Sequence, residues 1–279
     1  MGDTPDQSPA ADVTADATQH RVEAWLRNNG VDLEMRVAGA FRAALSAASP
    51  VRLSWAVDHG RTYVSRHAGG DEANMREIDV VVRATTRTLS DAWISLWLVA
   101  ECKSSKSDPW VLYRSSDRRD LPAQTITDAG WQVRSAEGLD PANILGWSAF
   151  ELMSANVTPC YAASSTNSKS GGNAKNYARD AALQALSAVR GVAADVPVRD
   201  HQRTAAVLVP VVVTAAPMFA VTLSDEGGYR VEPTVRELLA GRFEAEDDEP
   251  RKLWVVHESE VNDLAQQFAA AALQLEYRT

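Results

Sequence analysis

The sequence predicts a mixed α/β fold, a central sheet flanked by helices. Three observations carry this. Valine-rich apolar runs at 80–82, 97–100 and 205–213 have the β-branched content of buried strands. Helical stripes of apolar and small residues stand among them, at 33–45, 174–189 and 258–273. With 279 residues, 45% apolar and 23% charged, the chain can build a sizeable core.

Residues 1–18 are acidic and rich in Ala, Asp, Thr and Pro, with neither a basic start nor an apolar segment. They read as a disordered leader, not a signal peptide. Residues 20–48 are helical, broken near Asn28-Asn29-Gly30, where Gly30 ends one piece and Asp32 caps the next. In the second piece Leu33, Val37, Phe41 and Leu45 recur every four residues. Glu34, Ala38, Phe41 and Leu45 form an adjoining stripe. Glu34 therefore stands on the buried face or at its border, where an acid can equally snorkel to water.

Pro50 stops this helix. Residues 51–57 alternate as a strand, Asp58-His59-Gly60 is a turn, and 63–66 returns as a short strand. Residues 76–84 and 92–103 are further strands, and 110–114 extends the set. Leu139-Asp140-Pro141 announces a helix over 140–153. The Ser/Asn/Gly run at 164–173 is a loop, followed by a small-residue helix over 174–189. Residues 205–223 are almost wholly apolar and nearly long enough to span a bilayer. Pro210, Pro217, Thr214, Thr222 and the many valines fit two buried strands joined by a Pro-containing turn, so no membrane span is expected. Strands at 229–231 and 252–257 and a helix over 258–273 complete the chain.

Composition bounds the function. A net charge of −9 argues against a surface coated in cations, while leaving room for a local basic cleft. Cys102 and Cys160 make neither a disulfide framework nor a zinc site, and read as reduced thiols of a cytoplasmic protein. The histidines lack metal-ligand spacing, and no G-x-S-x-G elbow is present.

The strongest chemical signal lies on two strands. Asp79 precedes Val80-Val81-Val82, and Glu101-Cys102-Lys103 follows Trp97-Leu98-Val99-Ala100. Glu101 and Lys103 share one face and Cys102 points to the other. Acids at the ends of such apolar runs are costly to desolvate unless paired or bound to metal. Asp79 and Glu101 could hold magnesium, with the backbone carbonyl of Cys102 as a further ligand. Lys103 could orient water or stabilise charge on phosphorus, and Glu34 could complete the shell from the helix. Glu77 shares a face with Asp79 and is a substitute ligand; Asp79 is favoured because it lies deeper in the apolar run. The plainer reading of acid-x-lysine is a solvated cross-strand pair.

A helix bearing Glu34, a strand bearing Asp79 and the run Glu101-Cys102-Lys103, in this order, resemble the PD-(D/E)XK nuclease superfamily, the restriction-endonuclease-like fold. The resemblance covers residues 31–213 and implies an αβββαβ core. It matches the family's acid to Asp79, its (D/E)-x-K to Glu101 and Lys103, and its first-helix acid to Glu34. Ile78 stands where the family has proline. The resemblance implies a Mg2+-dependent endonuclease, with Mn2+ able to substitute, cutting DNA by attack of a metal-bound water. Bacterial defence or repair is the setting by analogy, and a homodimer is compatible with it. Residues 19–279 then form one domain, with 115–172 an inserted helical region and 224–279 a C-terminal strand–helix extension.

Two other classes stay open. One is a catalytically silent protein of the same fold that binds nucleic acid or a protein partner. The other, a nucleotide- or phosphosugar-handling enzyme, lacks a phosphate fingerprint. Supporting features are weaker. Arg83, Arg87, Lys106, Arg114, Arg118 and Arg119 could meet phosphates, or form a solvated face with the acids between them. Lys169 and Lys175 flank a Gly-rich loop that is not a Walker A sequence. Gln184 could touch the site or cap a buried carbonyl.

Overall fold

In the computed structural model the described residues are 10–48, 53–65, 74–87, 93–114, 133–135, 160–166, 176–196, 204–223, 227–241 and 251–277. Their elements run α1 (Ala10–Asn28), α2 (Val31–Ala48), β1 (Ser54–Ser65), β2 (Asn74–Arg87), β3 (Trp93–Lys103), β4 (Trp110–Arg114), β5 (Val133–Ser135) and β6 (Cys160–Ser165). Then come α3 (Tyr177–Asp195), β7 (Thr204–Thr214), β8 (Met218–Leu223), β9 (Tyr229–Thr234), β10 (Arg236–Gly241), β11 (Arg251–His257), a 3-10 turn (Glu258–Glu260) and α4 (Val261–Tyr277).

The strands form one 11-stranded mixed sheet in the order β1-β2-β3-β7-β11-β10-β6-β4-β8-β9, with β5 paired to β7 off this path. β1, β2 and β3 are antiparallel neighbours, and β7 runs parallel to β3 and to β11. Burial explains the central strands: every residue of β3 from Ile94 to Cys102 is buried. Such a strand can exist only with both faces covered. One face lies under α2 and α4, where Leu33, Val37, Phe41 and Leu45 meet Leu264 and Phe268. Phe41 and Phe268 cross edge to face at 5.7 Å. The other face lies under α3, whose alanines at 178, 181, 182, 185, 188 and 193 let it approach the sheet closely.

Several expectations are corrected. α1 begins at Ala10, so residues 10–18 of the expected disordered leader are helical; the alanines of that stretch favour it. Asp58-His59-Gly60 is not a turn: β1 is one continuous strand. Gly60, at φ +69°, absorbs the irregularity while His59 still pairs with Val80 and Arg61 with Ile78. Within 115–172 the described pieces Val133–Ser135 and Cys160–Ser165 are strands, not helix, and both join the sheet. The helix expected over 140–153 lies outside the described residues. Residues 224–279 are no appendage, because the buried run of β11 stands beside β7 in the middle of the sheet and α4 packs on α2. Pro210 lies inside β7, as the strand reading of 205–213 has it; on the β11 side it falls between the stretches paired to β5 and to β11, where the ladder is interrupted. Among the described residues no helix is long and apolar enough to cross a membrane.

Candidate active site

The end of β3 is pinned between neighbours. Lys103 is paired with Thr214 of β7, and its carbonyl accepts from the Ala215 N–H at 2.9 Å. This projects Glu101 and Lys103 at the rim of the sheet, next to the N-terminal turn of α2. The α1–α2 corner comes close there: at Gly30 (φ +82°) a Cβ would sit 3.2 Å from Ser104 Oγ. A cleft of about 530 Å3 opens at this point. Glu34, Asp79, Glu101, Cys102 and Lys103 all line it. The predicted site residues therefore arrive together from α2, β2 and β3.

Asp79 owes its position to a break in strand alternation. Ile78 packs under α3 with Tyr63 and Val99, while Val80 packs on the opposite face with α2 and α4. Two residues apart should share a face. The chain turns over at Asp79, opposite the irregular Gly60. The Asp79 carboxylate crosses to β3 and its Oδ2 accepts from the Cys102 N–H at 2.6 Å. Cys102 is thus tied to the site through its N–H, and its side chain sits among the apolar residues of the α2 side. Glu77 is not among the cleft-lining residues.

Lys103 Nζ donates to Glu101 Oε1 at 2.5 Å, with side-chain exposures of 31% and 10%. Glu34 is engaged from behind: His59 Nε2 lies 2.8 Å from Glu34 Oε2. The carboxylates feel one another. Burial pushes the Asp79 carboxyl up to about 7, reinforced by the charges of Glu101 and Glu34 and opposed by the Cys102 N–H and Lys103. Burial also raises Glu101, against the pull of Lys103. Burial and the three carboxylates push the Cys102 thiol well above its usual value, which leaves it a neutral packing group and not a nucleophile.

Residues beyond the predicted set complete the cleft. Tyr177, Asp180 and Gln184 present one stripe of α3 to it, at spacings of three and four. Gln184 lines the cleft, and its Oε1 is buried without a hydrogen-bond partner. Such atoms are uncommon and require a reason. A hard divalent cation with its waters fits this donor set. Carboxylate oxygens that resist ionisation alone would ionise beside a cation, and Gln184 could accept from a bound water. Among the described residues no three His, Cys, Asp or Glu side chains form a closed metal-holding group. Magnesium does not need one, being held by one or two carboxylates plus waters and substrate phosphate.

No protein-family model matches the chain, and no curated protein or solved structure matches it.

The other basic candidates are dispersed. Lys106 pairs with Glu258 at 3.5 Å, and Arg114 with Glu237 and Glu232 in a different part of the sheet. Arg118, Arg119, Lys169 and Lys175 lie outside the described residues. His59 escaped the sequence reading because it was placed in a turn. On α3, Gln184 was marked in the sequence as a residue that could touch the site, while nothing marked Tyr177 and Asp180 as facing a cleft.

Proposed function

We propose that the chain is a metal-dependent nuclease with a restriction-endonuclease-like core, acting on DNA. One observation carries the reading: the half-buried Asp79 and the buried Glu101, whose charge opposes ionisation of Asp79, line one open cleft with Lys103 and Glu34. The elements support it. In chain order α2, β1, β2 and β3 precede α3 and β7, with β1-β2-β3-β7 side by side in the sheet.

A magnesium-class ion held by Asp79, Glu101 and the Cys102 carbonyl would supply a water of lowered pKa and neutralise phosphate charge. The Cys102 N–H fixes the Asp79 carboxylate in one orientation. Lys103, resting on Glu101, is placed to donate to the attacking water or to a phosphate oxygen as charge develops there. Gln184 borders the cleft from α3, and Glu34, steadied by His59, borders it from α2. In hydrolysis the water oxygen bonds to phosphorus, the P–O ester bond breaks, and the leaving oxygen takes a proton.

A silent site in a binding protein is the second reading. The Lys103–Glu101 pair favours it, since that contact neutralises one carboxylate without an ion. Incubating the purified full chain with plasmid and with single-stranded DNA, in magnesium or manganese, separates the two. The nuclease reading expects cleavage that chelation abolishes and that Asp79→Ala and Lys103→Ala lose. Intact DNA with every metal tried, from a folded protein, would overturn it.

A further inference from the structure

The cleft has two unlike walls. On the α2–β2–β3 side stand the candidate catalytic groups. On the other side α3 presents Tyr177, Asp180 and Gln184. This second wall holds a ring, an acid and an amide, and no cation. Among the described residues lining the cleft, Glu34, Asp79, Glu101, Asp108 and Asp180 stand against Lys103 alone. A bound cation can compensate one phosphodiester there, but phosphates to either side would meet carboxylates. The cleft, about 530 Å3, has the volume of a small-molecule site and not of a duplex.

Tyr177 is 43% exposed, whereas Trp110, the other aromatic residue in the cleft, is 3% exposed and closed to stacking. A lone exposed ring is ordinary on a protein surface. This one is anchored at the wall of the cleft. The Tyr177 N–H donates to Ser165 Oγ of β6 at 3.1 Å. Asn176, which caps α3 by accepting from the Arg179 N–H, donates from Nδ2 to the Ala163 carbonyl at 3.1 Å. The end of β6 is tied in turn to the approach to β4, Thr166 N–H donating to the Pro109 carbonyl at 2.9 Å. A ring on so fixed a helix end loses little freedom on stacking. Asp180, three residues on, is its neighbour on the helix surface, and its ionised carboxylate only accepts hydrogen bonds. One turn further lies Gln184, whose orphan Oε1 is a second acceptor that rotation about the soft terminal torsion can bring to a ligand.

We infer that the α3 wall is a nucleobase subsite. The base of one unpaired nucleotide stacks on Tyr177 and its exocyclic amine donates to Asp180. The phosphodiester of that nucleotide lies at Asp79 and Glu101. The subsite rests on the nuclease reading for the phosphodiester and not for the base. It makes the substrate a single strand or a frayed end, with cytosine or adenine favoured at this position. Thymine offers a carbonyl where those bases offer an amine, and would set two acceptors against each other.

The test uses neutral nucleosides, which need neither metal nor phosphate. Deoxycytidine and thymidine are titrated against the full chain in chelator, with binding read by saturation-transfer NMR. Deoxycytidine is expected to bind more tightly. Tyr177→Ala should weaken it about 10-fold or more, and Tyr177→Phe, which keeps the ring, should not. Asp180→Asn, whose amide can also donate, should erase the preference over thymidine. Equal binding of the two nucleosides, binding of neither, or binding unaffected by Tyr177→Ala would overturn the subsite. Cleavage of single-stranded DNA with magnesium or manganese reads the catalytic wall separately. Cleavage without nucleoside selectivity removes the subsite and leaves the nuclease. Selective, Tyr177-dependent binding with no cleavage under either metal leaves the subsite and removes the nuclease.

Discussion

Asp79 concentrates the conflict between burial and charge that a bound cation would resolve. Its carboxyl is pushed from an ordinary 3.8 up to about 7. Between those values the folded protein holds a proton that the unfolded chain has released, so this group's contribution to stability falls as pH rises and levels off above about 7. Asp79→Asn keeps an acceptor for the Cys102 N–H and removes the titration. The variant's advantage over the native protein, measured by denaturant unfolding in chelator, should grow from about pH 4 to pH 7. A pH-independent difference would show that Asp79 ionises as it does in the unfolded chain. Magnesium should raise the native protein's Tm more above pH 7 than below it, because a cation binds the ionised carboxylates, and Asp79→Asn should lose most of that rise. Lys103→Ala should leave the fold intact and lower cleavage by about 100-fold or more, the usual cost of removing a group that stabilises developing charge.

Elements buried on both faces were the most legible from sequence. β7 is apolar from Ala205 to Val213 and β3 from Leu96 to Ala100, and the spacing of Leu33, Val37, Phe41 and Leu45 located the buried face of α2. The candidate site was legible for the same reason, since Asp79, Glu101 and Lys103 interrupt or end runs that should be inert. Legibility failed where tertiary pairing overrides local signals. Asp58-His59-Gly60 has turn chemistry, yet the ladder to β2 carries a strand through it. β10 is six residues long with Glu237 inside it, and its three buried positions in a row hide any alternation. The contact of α3 with β1 was equally hidden, because glycine gives no periodic signal. A Cβ at Gly191 would overlap the ring of Tyr63, whose hydroxyl donates to Ser187 on the same helix at 3.3 Å. Gly191→Ala should therefore destabilise the protein by about 1–3 kcal/mol, overcoming the roughly 1 kcal/mol that alanine gains over glycine in a helix. Adding Tyr63→Leu should recover part of the loss. A Gly191→Ala protein more stable than native would show that α3 sits farther from β1.

The whole molecule is held as one sheet by α3, which spans two clusters. Its N-terminal half packs with Trp110, Leu112, Leu239 and Leu253, and its C-terminal half with Tyr63, Val81 and Trp97. The cleft lies at the first of these ends, so anything that loosens the β4-β6-β10 region should be felt there through α3. The firmest polar tie in that region is Glu237, which is 0% exposed. It accepts from Arg114 of β4, from the Cys160 thiol of β6 at 3.4 Å and from the Thr234 hydroxyl of β9 at 2.6 Å. Cys160 is shielded by this arrangement, as burial and the neighbouring carboxylate hold its thiol far above the reactive range. Glu237→Ala leaves Arg114 half-paired with Glu232 and the Thr234 hydroxyl with only its 3.5 Å contact to the Arg236 carbonyl, so a loss of about 3 kcal/mol is expected, the lower end for breaking a buried pair. Replacing both partners, Arg114→Met with Glu237→Leu, removes the uncompensated charge and should restore most of the stability. Thermal unfolding reads this directly. A Glu237→Ala protein as stable as native would mean that the network is incidental to the join between the two halves of the sheet. Cleavage by the double variant below its Tm should stay close to native, because none of the exchanged side chains lines the cleft.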